Sequence, residues 1–475
     1  MAYIIISLGL LIVFSHVFSA LFVRIRVPSV LLLMIIGLLV GPVFQLVQPE
    51  DVGKAGSVFT TITLICILFE SGTGLSLKTI GASIGKASML TVLNFLCMLA
   101  ICAPIGHYIL DLDWIHSFFL GAALGGTSSA IVIPMLGQLH PGGRTRMALL
   151  LESTFSDVLC LAVALALMTG IESGQIDMKD AAVGTLQSVI FAVAAGAAAG
   201  TAWLLVLKSR LQHMKHSLFT SCALAFIIYG ICELVGWNGG LCVLSYGVAL
   251  GNIGHASFVR KWITTEENLG INKEERDFFG EVVFVLQTYF FVYIGICIQL
   301  NNPWHLIVGA LIVALAFCCR HLVARLIGGR ELAPRDRRLL AALGAKGLVA
   351  AVLATVPLQS TADYIRDNGL DAEAVENAAE LKMNDEMPFR TVAADYYAPT
   401  QTAITAGNTI PGSDYRNFAE AVDLVYAGKT VRNVAYAVVL LSIILCAVLV
   451  IMGERQPADQ PEPSSEPETV PEAEA

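Results

Sequence analysis

Apolar positions run along this chain in blocks of about twenty, separated by short polar connections. Thirteen such blocks lie near 2–22, 28–48, 55–75, 87–110, 114–137, 147–169, 181–207, 217–236, 239–254, 278–300, 305–328, 338–358 and 431–452. A helix of ~20 residues crosses the ~30 Å of a bilayer's hydrocarbon, so the pattern predicts an all-α polytopic membrane protein with about thirteen transmembrane helices. The connections carry a second pattern. Arg24/Arg26, Lys78/Lys86, Arg144/Arg146, Lys208/Arg210/Lys215, Arg260/Lys261/Lys273/Arg276 and Arg330/Arg335/Arg337/Arg338 occupy every second one. The others hold Glu50/Asp51, Asp111/Asp113, Glu172/Asp177/Asp180, Trp237/Asn238 and Asn301/Asn302. Basic connections stay on the cytoplasmic side, which places the N-terminus outside and the C-terminus in the cytoplasm of a multi-pass protein of the cell membrane. The first basic residue, Arg24, follows the first block, so the N-terminus does not read as a cleavable signal peptide.

Two stretches leave this pattern. Residues 359–430 are polar and acidic, and the alternation makes them an extracytoplasmic soluble insert between the last two spans. AEAVENAAELKMND within it has apolar residues at helical spacing. A connection this long is either functional or a solvated appendage, and the sequence leaves both open. Residues 454–475, rich in Pro, Glu and Ser, read as a disordered acidic cytoplasmic tail. The expected organisation is thus a transmembrane domain over 1–358, the insert over 359–430, a last transmembrane helix over 431–453, and the tail.

Composition agrees with the blocks. The chain is 56% hydrophobic and 14% charged over 475 residues, with a mean hydropathy of +0.71. The 11 cysteines all fall in apolar segments without a CxxC pair, so they read as buried thiols rather than disulfides or zinc ligands. The net charge of −9 comes largely from the insert and tail, and nothing suggests a nucleic-acid partner.

Charges inside the spans are the candidates for chemistry, because an ionisable group at membrane depth is expensive. The sixth span, LLLESTFSDVLCLAVAL from Leu149, holds Glu152 and Asp157. Counted from Arg146, Asp157 lies roughly 16 Å deep, at mid-membrane, and Glu152 about 9 Å deep. Five residues apart, they face about 140° away from each other. Ser153 shares the face of Asp157, and Ser156 that of Glu152. In the eleventh span Arg320 sits roughly 8 Å from the inner surface, level with Glu152. The two are expected to form a structural ion pair, although a snorkelling Arg320 is the alternative.

Two spans break their own helical pattern. The fifth reads GAALGGTSSAIVIP, with Gly125, Gly126, Thr127, Ser128, Ser129 and Pro134; the twelfth reads LGAKGLVAAV, with Gly344, Lys346 and Gly347. Interrupted spans at corresponding places in two halves point to inverted repeats whose two broken crossing helices meet near the midplane, where ions bind. Thr127 lies about 20 Å from the outer surface and Lys346 about 12 Å from the inner one, so both approach Asp157 in depth. Lys346 is a charge that offsets half-helix dipoles. A small-residue packing face would account for the glycines, but not for Lys346.

On these residues the chain resembles the monovalent cation/proton antiporter superfamily, and within it the sodium/proton exchanger branch. ILFESGTGL looks like that family's acidic-plus-glycine signature, and LLLESTFSDV like its Glu-Ser-x-x-Asn-Asp motif. FFVYIGICI, FCCRHLVARLIGG and GAKGLVAAVLA resemble its tenth, eleventh and twelfth spans. The resemblance implies that Asp157 binds the ion and the proton in turn, and that the motif's Glu pairs with the eleventh-span Arg. Two departures bear on ion choice. Thr127-Ser128-Ser129 stands where the family usually has Thr-Asp-Pro, and Ser156 stands for the motif's Asn.

The expected function is therefore secondary antiport of Na⁺ or K⁺ against protons, in the service of pH homeostasis. Asp157, Thr127, Ser128, Ser153 and Ser156 hold the cation, and exchange is electroneutral. A core of spans four to six and eleven to thirteen rocks against the other spans, which form a homodimer interface within membrane lipid. No cofactor and no catalytic residue is expected. The alternatives are a potassium efflux channel or carrier, suggested by the consecutive serines, and a non-transporting membrane sensor whose insert is the ligand module.

Overall fold

The computed structural model describes residues 28–47, 49–74, 77–128, 141–173, 178–210, 217–235, 239–252, 273–298, 303–328, 332–383 and 412–454, with Trp237 and scattered positions between 9 and 17 and between 131 and 139. Among them all regular structure is helical. The helices in order are α1 (Ser29–Leu38), α2 (Pro49–Gly74), α3 (Leu77–Ile109), α4 (Trp114–Ala123), α5 (Gly143–Ser173), α6 (Met178–Arg210), α7 (Ser217–Leu234) and α8 (Gly239–Asn252). They continue with α9 (Lys273–Cys297), α10 (Pro303–Gly328), α11 (Pro334–Ala342), α12 (Leu348–Leu353), α13 (Val356–Asp367), α14 (Ala372–Met383) and α15 (Gly412–Glu454). Predicted spans two to four, six to eleven and thirteen each fall on one of these helices, whereas the fifth begins on α4 and the twelfth runs over α11, α12 and the start of α13. Most of the first span, Ser129, Pro134, the middle of the insert (384–411) and the tail from 455 lie outside the described residues.

Six described stretches are individually long and apolar enough to cross a bilayer, and six shorter apolar helices accompany them. They pack as two bundles. α3, α4, α5, α10, α11, α12 and α15 hold mainly to one another, while α1, α2, α6, α7, α8 and α9 form a second group. Across the seam α5 packs on its chain neighbour α6, and lesser contacts join α9 to α15 and to α12. Close approach in the second bundle relies on missing side chains. A Cβ on Gly37 of α1 would stand 2.0 Å from the Val292 carbonyl of α9, beside Gly295.

The first bundle is tied at both ends. At one end Asp336, in the first turn of α11, accepts from Thr145 Oγ1 at 2.9 Å, and Arg335 donates to the Leu139 carbonyl at 3.0 Å. At the other, Asp113 caps α4 by accepting from the His116 N–H at 3.3 Å. There Tyr426 OH also donates to the Leu110 carbonyl at 3.1 Å. The described part of the insert therefore sits at the end of the bundle that carries Asp111 and Asp113.

That part is a folded cap. Ile365, Val375, Ala378, Ala379, Phe418, Ala421, Val422 and Val425 bury a small core between α13, α14 and the start of α15. Both domain boundaries expected from hydropathy fall inside helices. The 358/359 boundary lies within α13, which follows α12 after a two-residue turn, and 430/431 lies within α15. α15 has 43 residues, about 65 Å of helix, roughly twice the hydrocarbon thickness. Hydropathy marks where a helix leaves lipid, not where it ends. All eleven cysteines are free thiols, and most are buried.

Candidate ion-binding site

α4 stops at Ala123 because the Gly125–Gly126 pair cannot hold a helix, and Leu124–Ser128 continues without regular structure. α11 stops in the same way at Ala342, and Leu343–Gly347 is irregular until α12 begins. The two interruptions cross. The Ser128 N–H donates to the Ala345 carbonyl at 2.9 Å. A Cβ on Gly347 would stand 2.0 Å from Ser128 Oγ, so only glycine admits this approach.

A break in a membrane helix frees main-chain groups that must find partners inside the protein. Both breaks use a serine from a later helix. The Thr127 N–H donates to Ser156 Oγ of α5 at 2.9 Å, and the Lys346 N–H to Ser442 Oγ of α15 at 2.9 Å. The carbonyls left at the end of α11 are taken by Arg320 of α10. Its Nε donates to Leu340 O at 2.9 Å and its Nη2 to Leu343 O at 2.8 Å. Gly344 makes room for this, since a Cβ there would lie 2.5 Å from Arg320 Cδ.

The remaining donors of Arg320 go to Glu152. Nη1 meets Oε1 at 2.5 Å and Nη2 meets Oε2 at 2.8 Å, a bidentate fork. Asn94 of α3 donates to Oε1 at 2.9 Å, and Thr127 Oγ1 lies 3.4 Å from the same oxygen. Glu152 and Arg320 are both buried, and their hydrogen-bonding capacity is well used. This is the arrangement that a paired charge at membrane depth requires.

Asp157 lies elsewhere. It is half-buried on α5, and its Oδ1 stands 3.5 Å from the place of a Cβ on Gly126. The carboxylate thus faces bare main chain of the first break. Cys160, one turn on, lies against the same glycine, with Sγ 3.1 Å from that position. Lys346 is buried in the second break, among Arg320, Cys160, Glu152 and Cys102, and among the described residues no ion pair joins it to a carboxylate.

The hydroxyls expected at Asp157 bond to other groups. Ser153 Oγ donates to the Leu150 carbonyl at 3.0 Å. Ser156 Oγ donates to the Ser153 carbonyl at 3.2 Å while accepting from Thr127. The Thr127 hydroxyl is on Glu152 rather than Asp157. Ser128 meets the second break through its main chain. Sequence reasoning missed Asn94 and Ser442. Asn94 is a readable signal, an amide in the middle of LTVLNFLCML. Ser442 in LLSIILC is readable only once the two breaks are compared.

The described geometry offers one carboxylate facing an opened helix and a second locked by an arginine. Comparison with known proteins adds to this. The family model described as sodium/hydrogen exchanger, transmembrane, matches residues 10–379. The chain is 22% identical over 366 residues to Na(+)/H(+) antiporter 1 of Methanocaldococcus jannaschii, covering 73% of this chain and 81% of that protein. It is 24% identical over 242 residues to the K(+)/H(+) antiporter NhaP2 of a Shewanella species (strain MR-4), covering 48% of this chain and only 40% of that one. The structure of the sodium proton antiporter MjNhaP1 from M. jannaschii at pH 8 superposes with a TM-score of 0.66 at 20% identity, over 94% of this chain and 97% of that one.

Proposed function

The chain belongs to the sodium/hydrogen exchanger family, and we propose on that premise that it exchanges a monovalent cation, Na⁺ or K⁺, for protons across the cell membrane. The observation that carries the reading is the division of labour on α5. Glu152 is neutralised by Arg320, which leaves Asp157 as the carboxylate for transport. Asp157 takes a proton or a dehydrated cation, and the two compete for the same oxygens. Beside it the interrupted helix supplies main-chain carbonyls as hard oxygen ligands. The bonds of Thr127 to Ser156 and of Ser128 to Ala345 hold that break in shape, and Ser153 bonds within α5. Lys346 sets the charge of the opposite break.

One carboxylate that trades one proton for one monovalent ion moves no net charge, so exchange is electroneutral. The bundle that carries both breaks rocks against the other, which also forms a homodimer interface. The N-terminus lies outside, and the cap is extracytoplasmic.

The test is exchange in proteoliposomes with a pH-sensitive dye, adding Na⁺ and K⁺ in turn. Asp157→Asn is expected to abolish exchange while leaving thermal stability within a few degrees of the parent. Exchange that persists in this variant, or a voltage generated by the wild type, would sink the reading.

A further inference from the structure

Each broken crossing has a second tie besides its serine. In the first, the Gly126 N–H donates to Cys160 Sγ of α5, and a Cβ on Gly126 would stand 3.1 Å from that sulfur. In the second, the Ala345 N–H donates to Cys446 Sγ of α15. In both helices the cysteine follows the serine by four residues, one turn, so the two side chains share a face. The first pair holds Thr127 and Gly126, and the second holds Lys346 and Ala345. The sequences repeat accordingly. SDVLC at 156–160 and SIILC at 442–446 share the serine, the leucine and the cysteine.

The two ties of a pair differ in length. The N–H groups that reach serine oxygens close to 2.9 Å. Sulfur is a larger atom and a weaker acceptor, so its donor stands farther off. Each break is therefore held close at one residue and at arm's length at its neighbour. Cys160 and Cys446 are both wholly buried, and in lipid no water takes over either bond.

What differs between the halves is the neighbour of the sulfur. Beside Cys446 stands Arg320, already committed to Glu152, Leu340 and Leu343. Beside Cys160 stands Asp157. The glycine that meets the sulfur also meets this carboxylate, with Oδ1 3.5 Å from the place of its Cβ. The separation of Gly126 from α5 thus fixes how far the main chain of the break stands from Asp157.

We propose that Cys160 is a positioning residue that tunes cation size: its sulfur holds Gly126 off α5, and the gap before Asp157 suits K⁺ better than it would with an oxygen in that place. A dehydrated ion is bound best when its oxygen ligands stand at its own bond length, so a small inward step of one wall favours the smaller Na⁺. The idea rests on the antiport reading, since a gap needs an ion to discriminate.

The test is the ratio of kcat/KM for K⁺ to that for Na⁺, measured in proteoliposomes of the full-length wild type, Cys160→Ser and Cys446→Ser. Serine keeps an acceptor at each place and shortens the bond. The two variants should change alike in thermal stability, because the same atom is exchanged in the same kind of bond. Cys160→Ser is expected to lower the ratio at least about three-fold, and Cys446→Ser to leave it within about two-fold. A smaller fall in Cys160→Ser overturns the proposal. So does an equal fall in Cys446→Ser, which would make the effect one of packing at either break. Cys160→Thr, whose methyl refills the volume of the sulfur, covers the case where Cys160→Ser fails to fold. It is expected to lower the ratio in the same way, and an unchanged ratio overturns the proposal as well. Wild-type exchange separates the two ideas: no exchange with either cation sinks the antiport reading, whereas exchange with an unmoved ratio in the variants sinks only the role of Cys160.

Discussion

The two broken crossings are built alike in their main chain and oppositely in their charge. Each frees an N–H that a serine of a later helix accepts at 2.9 Å, Ser156 for Thr127 and Ser442 for Lys346. With these serines as counterparts, Glu152, Ser153 and Asp157 of α5 correspond to Val438, Val439 and Ile443 of α15, all three buried in the core. The first half thus supplies carboxylates and hydroxyls, and the second supplies Arg320 and Lys346. The likeness is what holding two open helices in lipid demands of any sequence. The difference is where function resides. One carboxylate crosses over to pair with one cation and stitches the halves together. The other is left facing an opened helix.

The largest way to break this comparison is to cut the stitch. Arg320→Ala removes both guanidinium bonds to Glu152 and the caps of Leu340 and Leu343 together, and leaves a buried carboxylate without its counter-charge. We expect a loss of about 3–5 kcal/mol, read as a failure to recover folded protein in detergent. Glu152→Gln is expected to cost less, because Arg320 keeps its two carbonyls. Equal losses would mean that the carbonyl caps contribute nothing.

Next in size is the contact between the breaks. Gly347→Ala forces a Cβ to within 2.0 Å of Ser128 Oγ and 2.3 Å of Ser128 Cβ, which no rotamer change relieves. The expected cost is about 3 kcal/mol in thermal stability. Exchange should fall with it, since Ser128 and the carbonyls near Asp157 shift together. Gly344→Ala meets Arg320 Cδ at the longer distance of 2.5 Å and is expected to cost less. The reverse order would place the rigid contact at Arg320.

How much of this the sequence disclosed follows from the range of each signal. Hydropathy blocks and alternating Arg/Lys connections report on single helices and single loops, so most predicted spans fall on one described helix each. Helix rise is also local, and matching depths alone suggested that Glu152 and Arg320 are level. The roles of Arg320 towards Leu340 and Leu343, and of Ser442 towards Lys346, were not legible. They depend on which helix lies beside a break, which no period encodes. Depth brings the Thr127 hydroxyl to Asp157, and adjacency in sequence brings that of Ser156. In the fold they serve the break and Glu152. The cap's helices were visible in AEAVENAAELKMND, but its continuity with α12 and α15 was hidden by the change from lipid to water.

A smaller effect separates the two serines. Ser156→Ala and Ser442→Ala each strand one buried N–H, at a cost of about 1–2 kcal/mol. The stability losses should match, because the two bonds have the same length. Transport should not match. Ser156 precedes Asp157 and holds the break that faces it, so its loss is expected to raise the cation KM several-fold. Ser442 has only Val438 and Ile443 at the corresponding places, and its loss should leave KM within about two-fold. Equal changes in KM would show that both breaks shape the ion site, and would end the distinction between an acidic working half and a basic supporting one.

The smallest effect concerns the cap, which only the second half carries. Lys429 is buried on α15 and meets Glu376 at 3.0 Å and Glu380 at 2.9 Å, both on α14 and both more than half exposed. α13, the cap helix next to α14, follows α12 directly, so the pair ties the cap-side end of the second crossing to α15. Lys429→Met keeps the buried stem and lets the two glutamates return to water. An ion pair with one side so exposed contributes little, and we expect a loss below about 1 kcal/mol. If the cap only braces the second crossing, exchange is unchanged in rate and KM. If exchange changes while thermal stability does not, the cap steers the crossing to which it is joined, and the second half does more than support the first.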